Sequence, residues 1–340
     1  MSRSHVIPAP RAKLVRRALD RRIGTVIAKR YQITRAIGMG GMGVVYDAVD
    51  LQTGVVVAIK ALHDGAHAAS RLQRFRREAS SATAVQSELV CRVHYLGVES
   101  GTPFIVMERL HGQTLRESIR RHGPLSLGEA VGIMLQLLDA LTATHEAGII
   151  HRDVKPSNVF LVSSRHEPPR IKLIDFGLAK RLRRDRTAPT EDDKCDVTPA
   201  DGVAGTLAYL TPEHLLGVGD LDERVDVYAA GIMFFELLTG KRAYQEASFE
   251  ETVREILLGE PLRPTDVRRT IPAVFDDVVG MATARARERR FSTAKAFRRA
   301  LVAAWRQPAP VLQSGICPAL RRGDDDDDDD DDTPTMRRRW

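Results

Sequence analysis

The 340-residue sequence predicts an α+β chain in two lobes: a small β lobe of five strands carrying one helix, and a larger, mainly helical lobe. Three observations carry that prediction. Between Tyr31 and about Met107 the apolar residues fall in short runs rich in Val and Ile, the pattern of strands. After Leu110 the spacing changes to the i, i+3, i+4 rhythm of helices. That helical half is broken once, by HRDVKPSNVF at 151–160, which places fixed charges and a proline in a stretch with no helical spacing.

Taken in order, residues 1–30 hold nine Lys/Arg against one acid and read as a basic extension. The strands follow as YQITRAIG, GVVYDAV, GVVVAIKAL, VCRVHYLGV and PFIVMERL. A helical run from about Ala68 to Val85, with RLQRFRREA in it, interrupts them. In the second lobe three helix starts pair a Ser or Thr with a Glu three residues on: Thr114 with Glu117, Ser126 with Glu129, Ser248 with Glu251. Each is a capping box, in which side chains satisfy backbone N–H groups that the first helical turn leaves without partners. After Ser126, the residues Ala130, Ile133, Met134, Leu137, Leu138 and Leu141 form a stripe expected to be core. Beyond Trp305 come two prolines and nine consecutive Asp, 324–332, a composition that cannot bury enough apolar surface to fold alone. The reading is thus an extension over 1–30, lobes over 31–110 and 111–304, and a tail over 305–340.

The net charge of +6 sits at the ends: the stretch 31–305 is close to neutral, which argues against a basic nucleic-acid groove. Cys91, Cys195 and Cys317 are odd in number and far apart, as neither a disulfide framework nor a zinc site would be. No apolar run reaches the ~18 residues of a membrane span, and the N-terminus lacks the order of a signal peptide. The expectation is a cytoplasmic protein.

The chemistry begins at IGMGGMGVVY, where Gly38, Gly40 and Gly43 form G-x-G-x-x-G after a strand. Glycines let backbone N–H groups approach phosphate oxygens. A strand follows, so these glycines cap a hairpin, whereas in a dinucleotide-binding turn the last would open a helix. Phosphate clamp and plain tight turn stay open until the next motif. VAIK ends at Lys60 in the third strand, and Glu78 in the following helix is placed either to hold Lys60 against phosphates or to pair with neighbouring arginines at helical spacing. Asp175 of IDFG and Asn158 supply hard oxygen ligands for Mg2+. Asp153 is then placed to accept a hydroxyl proton, and Lys155 to neutralise charge on a phosphoryl group in transfer.

In full order, GMGGMGVV, VAIK, Glu78, HRDVKPSN, DFG, TPE and DVYAAG resemble a protein kinase, most closely the bacterial Hanks-type serine/threonine kinases, over about Tyr31 to Leu301. The resemblance implies the bilobal protein-kinase fold and transfer of the γ-phosphoryl of ATP to Ser or Thr of protein substrates, with Mg2+ (or Mn2+). It implies an ATP pocket formed by Ile37, Gly38, Met39, Gly40, Gly41, Met42 and Gly43 of the loop together with Val45, Ala58, Lys60 and Phe160. Met107 would be its gatekeeper, and the backbone from Glu108 to Leu110 its hinge. Asp226 would tie down the catalytic loop, and Glu213 would pair with Arg290. Arg152 would pair with a phosphate on the activation segment, with Thr198 the leading acceptor, then Thr190 and Thr187; Lys155 and Thr206 mark the serine/threonine branch. A dimer for autophosphorylation in trans fits the same scheme. The rivals are a nucleotide-binding scaffold without turnover and a small-molecule phosphotransferase. Two departures stand out: Arg109 occupies the hinge where the family often has an aromatic residue, and AVQSELVCRV lacks the usual HPNIV junction. The acidic tail is read as solubilising, or as folding back on the basic KRLRRDR segment, 180–186, or on the arginines of residues 11–30.

Overall fold

The computed structural model describes residues 22–40, 43–62, 85–163, 169–175, 207–218, 221–244, 248–259 and 262–307. Glu78, Gly41, Met42, Thr187, Thr190, Thr198, Thr206, the 180–186 segment and the acidic tail lie outside them.

The small lobe is an antiparallel sheet of order β1-β2-β3-β4-β6-β5. Its strands are β1 (Val26–Ile27), β2 (Tyr31–Gly40), β3 (Gly43–Asp50), β4 (Val56–Leu62), β5 (Val93–Glu99) and β6 (Thr102–Glu108). It has six strands where the sequence suggests five. The extra β1 pairs with Tyr31 and Gln32, and the backbone bonds between Gly24, Thr25 and Ile33 extend that pairing. A two-residue strand beside Lys29 and Arg30 leaves no hydrophobic period to read, yet it buries Ile27. Ile33, Tyr46, Ala48, Val57, Ile59, Phe104 and Val106 close a compact apolar cluster of this lobe. The β2–β3 ladder ends at Gly40 opposite Gly43, so the glycine motif does lie at a hairpin tip.

The larger lobe opens with β7 (Gly112–Thr114), which joins β8 (Val159–Val162) and β9 (Arg170–Leu173) in a small antiparallel sheet. Gly112 has φ +146°, and a Cβ there would meet the Leu161 carbonyl at 2.0 Å, so only glycine lets the chain pass this close to β8. The helices are α1 (Leu115–His122), α2 (Leu127–Glu146), α3 (Pro212–Leu215), α4 (Arg224–Thr239), α5 (Phe249–Leu258), α6 (Pro264–Val267), α7 (Val274–Ala282) and α8 (Ala294–Arg306). All three predicted capping boxes form, at the starts of α1, α2 and α5. Every residue of the predicted Ala130–Leu141 stripe is buried. By length and composition α2 is long and apolar enough to cross a membrane, but half of that window is buried inside the protein. It packs against α4, α8 and β9, and α4 is itself buried along nearly its whole length.

The AVQSELVCRV stretch finds its own way to pack. Val90 bridges Leu173 in parallel, and backbone bonds join Leu173 N–H to Leu89 O (2.8 Å) and Cys91 N–H to Leu173 O (2.9 Å). The segment before β5 is thereby fastened to the strand that delivers Asp175.

Candidate active site

The loop from His151 to Asn158 runs between α2 and β8, and its first two backbone N–H groups are held by one buried side chain. Asp226, in the first turn of α4, accepts the His151 N–H (2.7 Å) on Oδ2 and the Arg152 N–H (2.7 Å) on Oδ1. His145 Nε2, at the end of α2, also lies 2.8 Å from Asp226 Oδ2. Burial pushes the Asp226 carboxyl up, but its bonds to His145 and the nearby His151 outweigh that and hold it below the ordinary carboxylate value. The His151 ring settles its own tautomer. Its Nδ1 accepts the Asp153 N–H (3.2 Å), so its proton sits on Nε2 and is donated to the Ile174 carbonyl (3.0 Å). Burial lowers the pKa of His151, consistent with a neutral ring.

Two residues of the site have an uncommon backbone. Arg152 has φ +62° and Asp175 φ +58°. Left-handed residues other than glycine cost on the order of 1–3 kcal/mol and persist only where surrounding contacts hold them.

Within the loop, Asp153 is buried and its carboxylate is held from two sides. Lys155 Nζ donates to Oδ1 (3.1 Å) and lies 2.9 Å from Oδ2. Asn158 Nδ2 donates to Asp153 Oδ2 (3.0 Å) and to its backbone carbonyl (2.8 Å). The amide's Oδ1 takes no part in these bonds and remains an oxygen donor. Lys60 Nζ lies 2.7 Å from Asp175 Oδ1, so the strand lysine and the acid after β9 meet across the lobes. The sequence suggests Glu78 as the partner of Lys60; Glu78 lies outside the described residues, and the acid seen on Lys60 is Asp175.

The register arranges the rest of the predicted pocket. Val45 faces Lys60 across β3–β4, and Ala58 faces Met107 across β4–β6. Phe160 stands on β8, in the larger lobe. Ile37 and Met39 are exposed on β2 beside Gly38. Met107, Glu108 and Leu110 are half-buried where β6 leaves the sheet. There Glu108 Oε1 accepts from Lys172 Nζ on β9 (2.6 Å) and from the Arg92 N–H (2.7 Å). The neighbouring Arg109 turns the other way, its Nε to Asp47 Oδ1 on β3.

Away from the loop, Glu213 and Arg290 form the expected pair, a two-pronged contact at 2.6 and 2.8 Å in a buried setting. Sequence reasoning missed His145, the contact of Lys60 with Asp175, and both hinge ion pairs. The histidine had a signal, since it ends the apolar stripe of α2 six residues before His151.

A two-lobed fold with Lys60, Asp153, Lys155, Asn158 and Asp175 gathered on one side is that of a phosphoryl-transfer domain. Residues 31–301 match the protein kinase domain family, and the chain belongs to that family. It is 37% identical over 248 residues to the serine/threonine-protein kinase pkn3 of Myxococcus xanthus, covering 72% of this chain and 44% of that protein. It is 36% identical over 274 residues to the serine/threonine-protein kinase PrkC of Bacillus subtilis, covering 80% and 40%. The chain thus spans about two-fifths of the length of these curated relatives. The crystal structure of the Mycobacterium tuberculosis PknI kinase domain superposes with a TM-score of 0.64 at 26% identity, over 83% of this chain and 98% of that one. The family uses ATP with a divalent metal and acts on proteins.

Proposed function

We propose that this chain is an ATP-dependent serine/threonine protein kinase working in the cytoplasm. The observation that carries the reading is the held carboxylate of Asp153. Lys155 and Asn158 aim it, and Asp226 fixes the peptides of His151 and Arg152 just ahead of it. A carboxylate so oriented can accept the proton of an incoming Ser or Thr hydroxyl, while the Lys155 ammonium offsets charge on the phosphoryl group. Lys60 supplies the second fixed cation, placed for the α and β phosphates.

Among the described residues no cluster of three or more His, Cys, Asp or Glu could hold a metal alone. Two hard oxygen donors, from Asn158 and Asp175, fit a cation that takes few protein ligands and completes its shell with phosphate and water, which favours Mg2+. Bound there, such an ion would neutralise phosphate oxygens. The proposed division of labour is supported by two ion pairs: Asp175 with Lys60, which assigns it to the metal and phosphates, and Asp153 with Lys155, which assigns it to the hydroxyl. Regulation by autophosphorylation in trans, with Thr198 as acceptor and Arg152 as receiver, belongs to the same reading.

The test is transfer of the γ-phosphoryl from radiolabelled ATP, with and without a generic protein substrate. Label on Ser or Thr of protein, lost in Asp153→Ala, is the expected result. ATP binding without transfer would leave only a nucleotide-binding scaffold, and label confined to small molecules would leave a small-molecule phosphotransferase.

A further inference from the structure

The hinge of this chain contains an arginine whose contacts reach into the small lobe. Arg109 Nε meets Asp47 Oδ1, and its Nη1 donates to the Leu110 carbonyl. The other oxygen of Asp47, Oδ2, is taken by Arg35, from Nε at 2.9 Å and Nη2 at 2.8 Å. The three side chains differ sharply in exposure: Asp47 8%, Arg109 18%, Arg35 66%. Arg109 is therefore the sheltered, half-buried partner of a buried acid, and Arg35 the solvent-facing one. Charges away from water interact more strongly than charges on a surface.

The location connects this pair to the base pocket. Asp47 lies opposite Ala58, which in turn lies opposite Met107. Asp47, Ala58 and Met107 thus form one row across three strands, and the chain leaves the sheet within three residues of Met107, at Leu110. A planar guanidinium can hold two acceptors in fixed directions, which an ammonium cannot. Here those acceptors are a carboxylate of β3 and the carbonyl that ends the hinge.

We infer that Arg109 is a positioning residue of the nucleotide pocket, fixing the hinge backbone against β3 through Asp47 and presetting the edge that reads the base. The inference rests on the proposed nucleotide site. Because Arg109 acts on the hinge peptide and touches none of the groups that handle the phosphoryl group, its removal weakens nucleotide binding more than turnover.

Steady-state kinetics and direct titration of ATP by calorimetry, on the full chain, test it. Arg109→Ala is expected to raise KM and Kd for ATP about tenfold while kcat falls less than threefold. Arg109→Lys should recover only part of the loss. Arg35→Ala, which strips an arginine from the same carboxylate on its wet side, should leave KM for ATP within twofold of wild type. In an Asp47→Asn background, Arg109→Ala should add little further. Unchanged ATP affinity in Arg109→Ala, full rescue by lysine, or an equal loss in Arg35→Ala would overturn the inference. A wild-type chain that binds no ATP would instead overturn the proposed function. Melting temperatures of the same variants separate loss of fold from loss of affinity, and Arg109→Lys, which keeps the charge, serves where the alanine variant does not fold.

Discussion

At the scale of single residues, the carboxylates divide by what holds them. Asp153 faces Lys155 and Asn158, and Asp175 faces Lys60. Asp153→Ala and Lys60→Ala are each expected to lower phosphoryl transfer by about a hundredfold or more, the scale of removing a fixed charge from a developing transition state. Asp175→Ala should also weaken metal-dependent ATP binding, whereas Asp153→Ala should not. Titration of both variants with ATP at fixed Mg2+ checks this, and equal affinities would end the division of roles. Much of this chemistry was legible because Asp153, Lys155 and Asn158 lie within six positions, so a single turn brings them together. The contact of Lys60 with Asp175 was not, since it depends on how the lobes meet. Nor was Arg109 with Asp47, because an acid in a strand reads as an outward-facing charge until its partner is placed.

At the scale of elements, the helix starts were the most readable feature, because a capping box needs only four adjacent residues. Ser126→Ala removes the acceptor for the Glu129 N–H at the start of α2 and should cost about 1 kcal/mol. Leu137→Ala, in the fully buried stripe of the same helix, should cost about 2–5 kcal/mol. Urea denaturation measures both, and a cost at Ser126 as large as at Leu137 would contradict the packing described. Strand β1 escaped reading for the opposite reason: its single buried side chain, Ile27, shows no period. The pair Glu213 and Arg290 ties α3 to the segment between α7 and α8. The guanidinium also donates to the Ala284 and Arg285 carbonyls (2.7 and 2.9 Å) and lies 4.8 Å from the Tyr228 ring centroid. Arg290→Ala strands a buried carboxylate and should cost about 3–5 kcal/mol, against a small loss for the half-exposed pair of Arg298 with Asp139.

At the scale of the whole molecule, several buried groups make stability depend on pH with one sign. Burial lowers His151 from its ordinary 6.5. Arg290 holds Glu213 below 4.5 despite its burial, and the bonds to Asp226 hold that acid below 3.8. Each binds fewer protons folded than unfolded, so its contribution is complete above the unfolded pKa and fades as pH falls through the folded one. Glu236 works the other way. Burial raises it above 4.5, and its contribution is present in acid and lost as pH rises through its folded value. The melting temperature should begin to fall below about pH 6.5 with His151, be partly offset there by Glu236, and fall further toward about pH 3 as Glu213 and then Asp226 lose their contributions. A flat profile over that range in a thermal melt would show that these groups do not govern acid stability.

The suspension of the His151–Asn158 loop from Asp226 also has a consequence in time. Loops ordinarily open on their own, and their amides trade hydrogen with solvent quickly. The N–H groups of His151 and Arg152 are instead bonded to a carboxylate that is 0% exposed, on a helix buried nearly end to end. Their release is expected to follow the opening of α4 itself. In deuterated buffer these two amides should exchange as slowly as those in the middle of α4, while the Gln52 and Thr53 amides of the exposed β3–β4 turn exchange early. The loop proposed to do the chemistry then has the lifetime of the core.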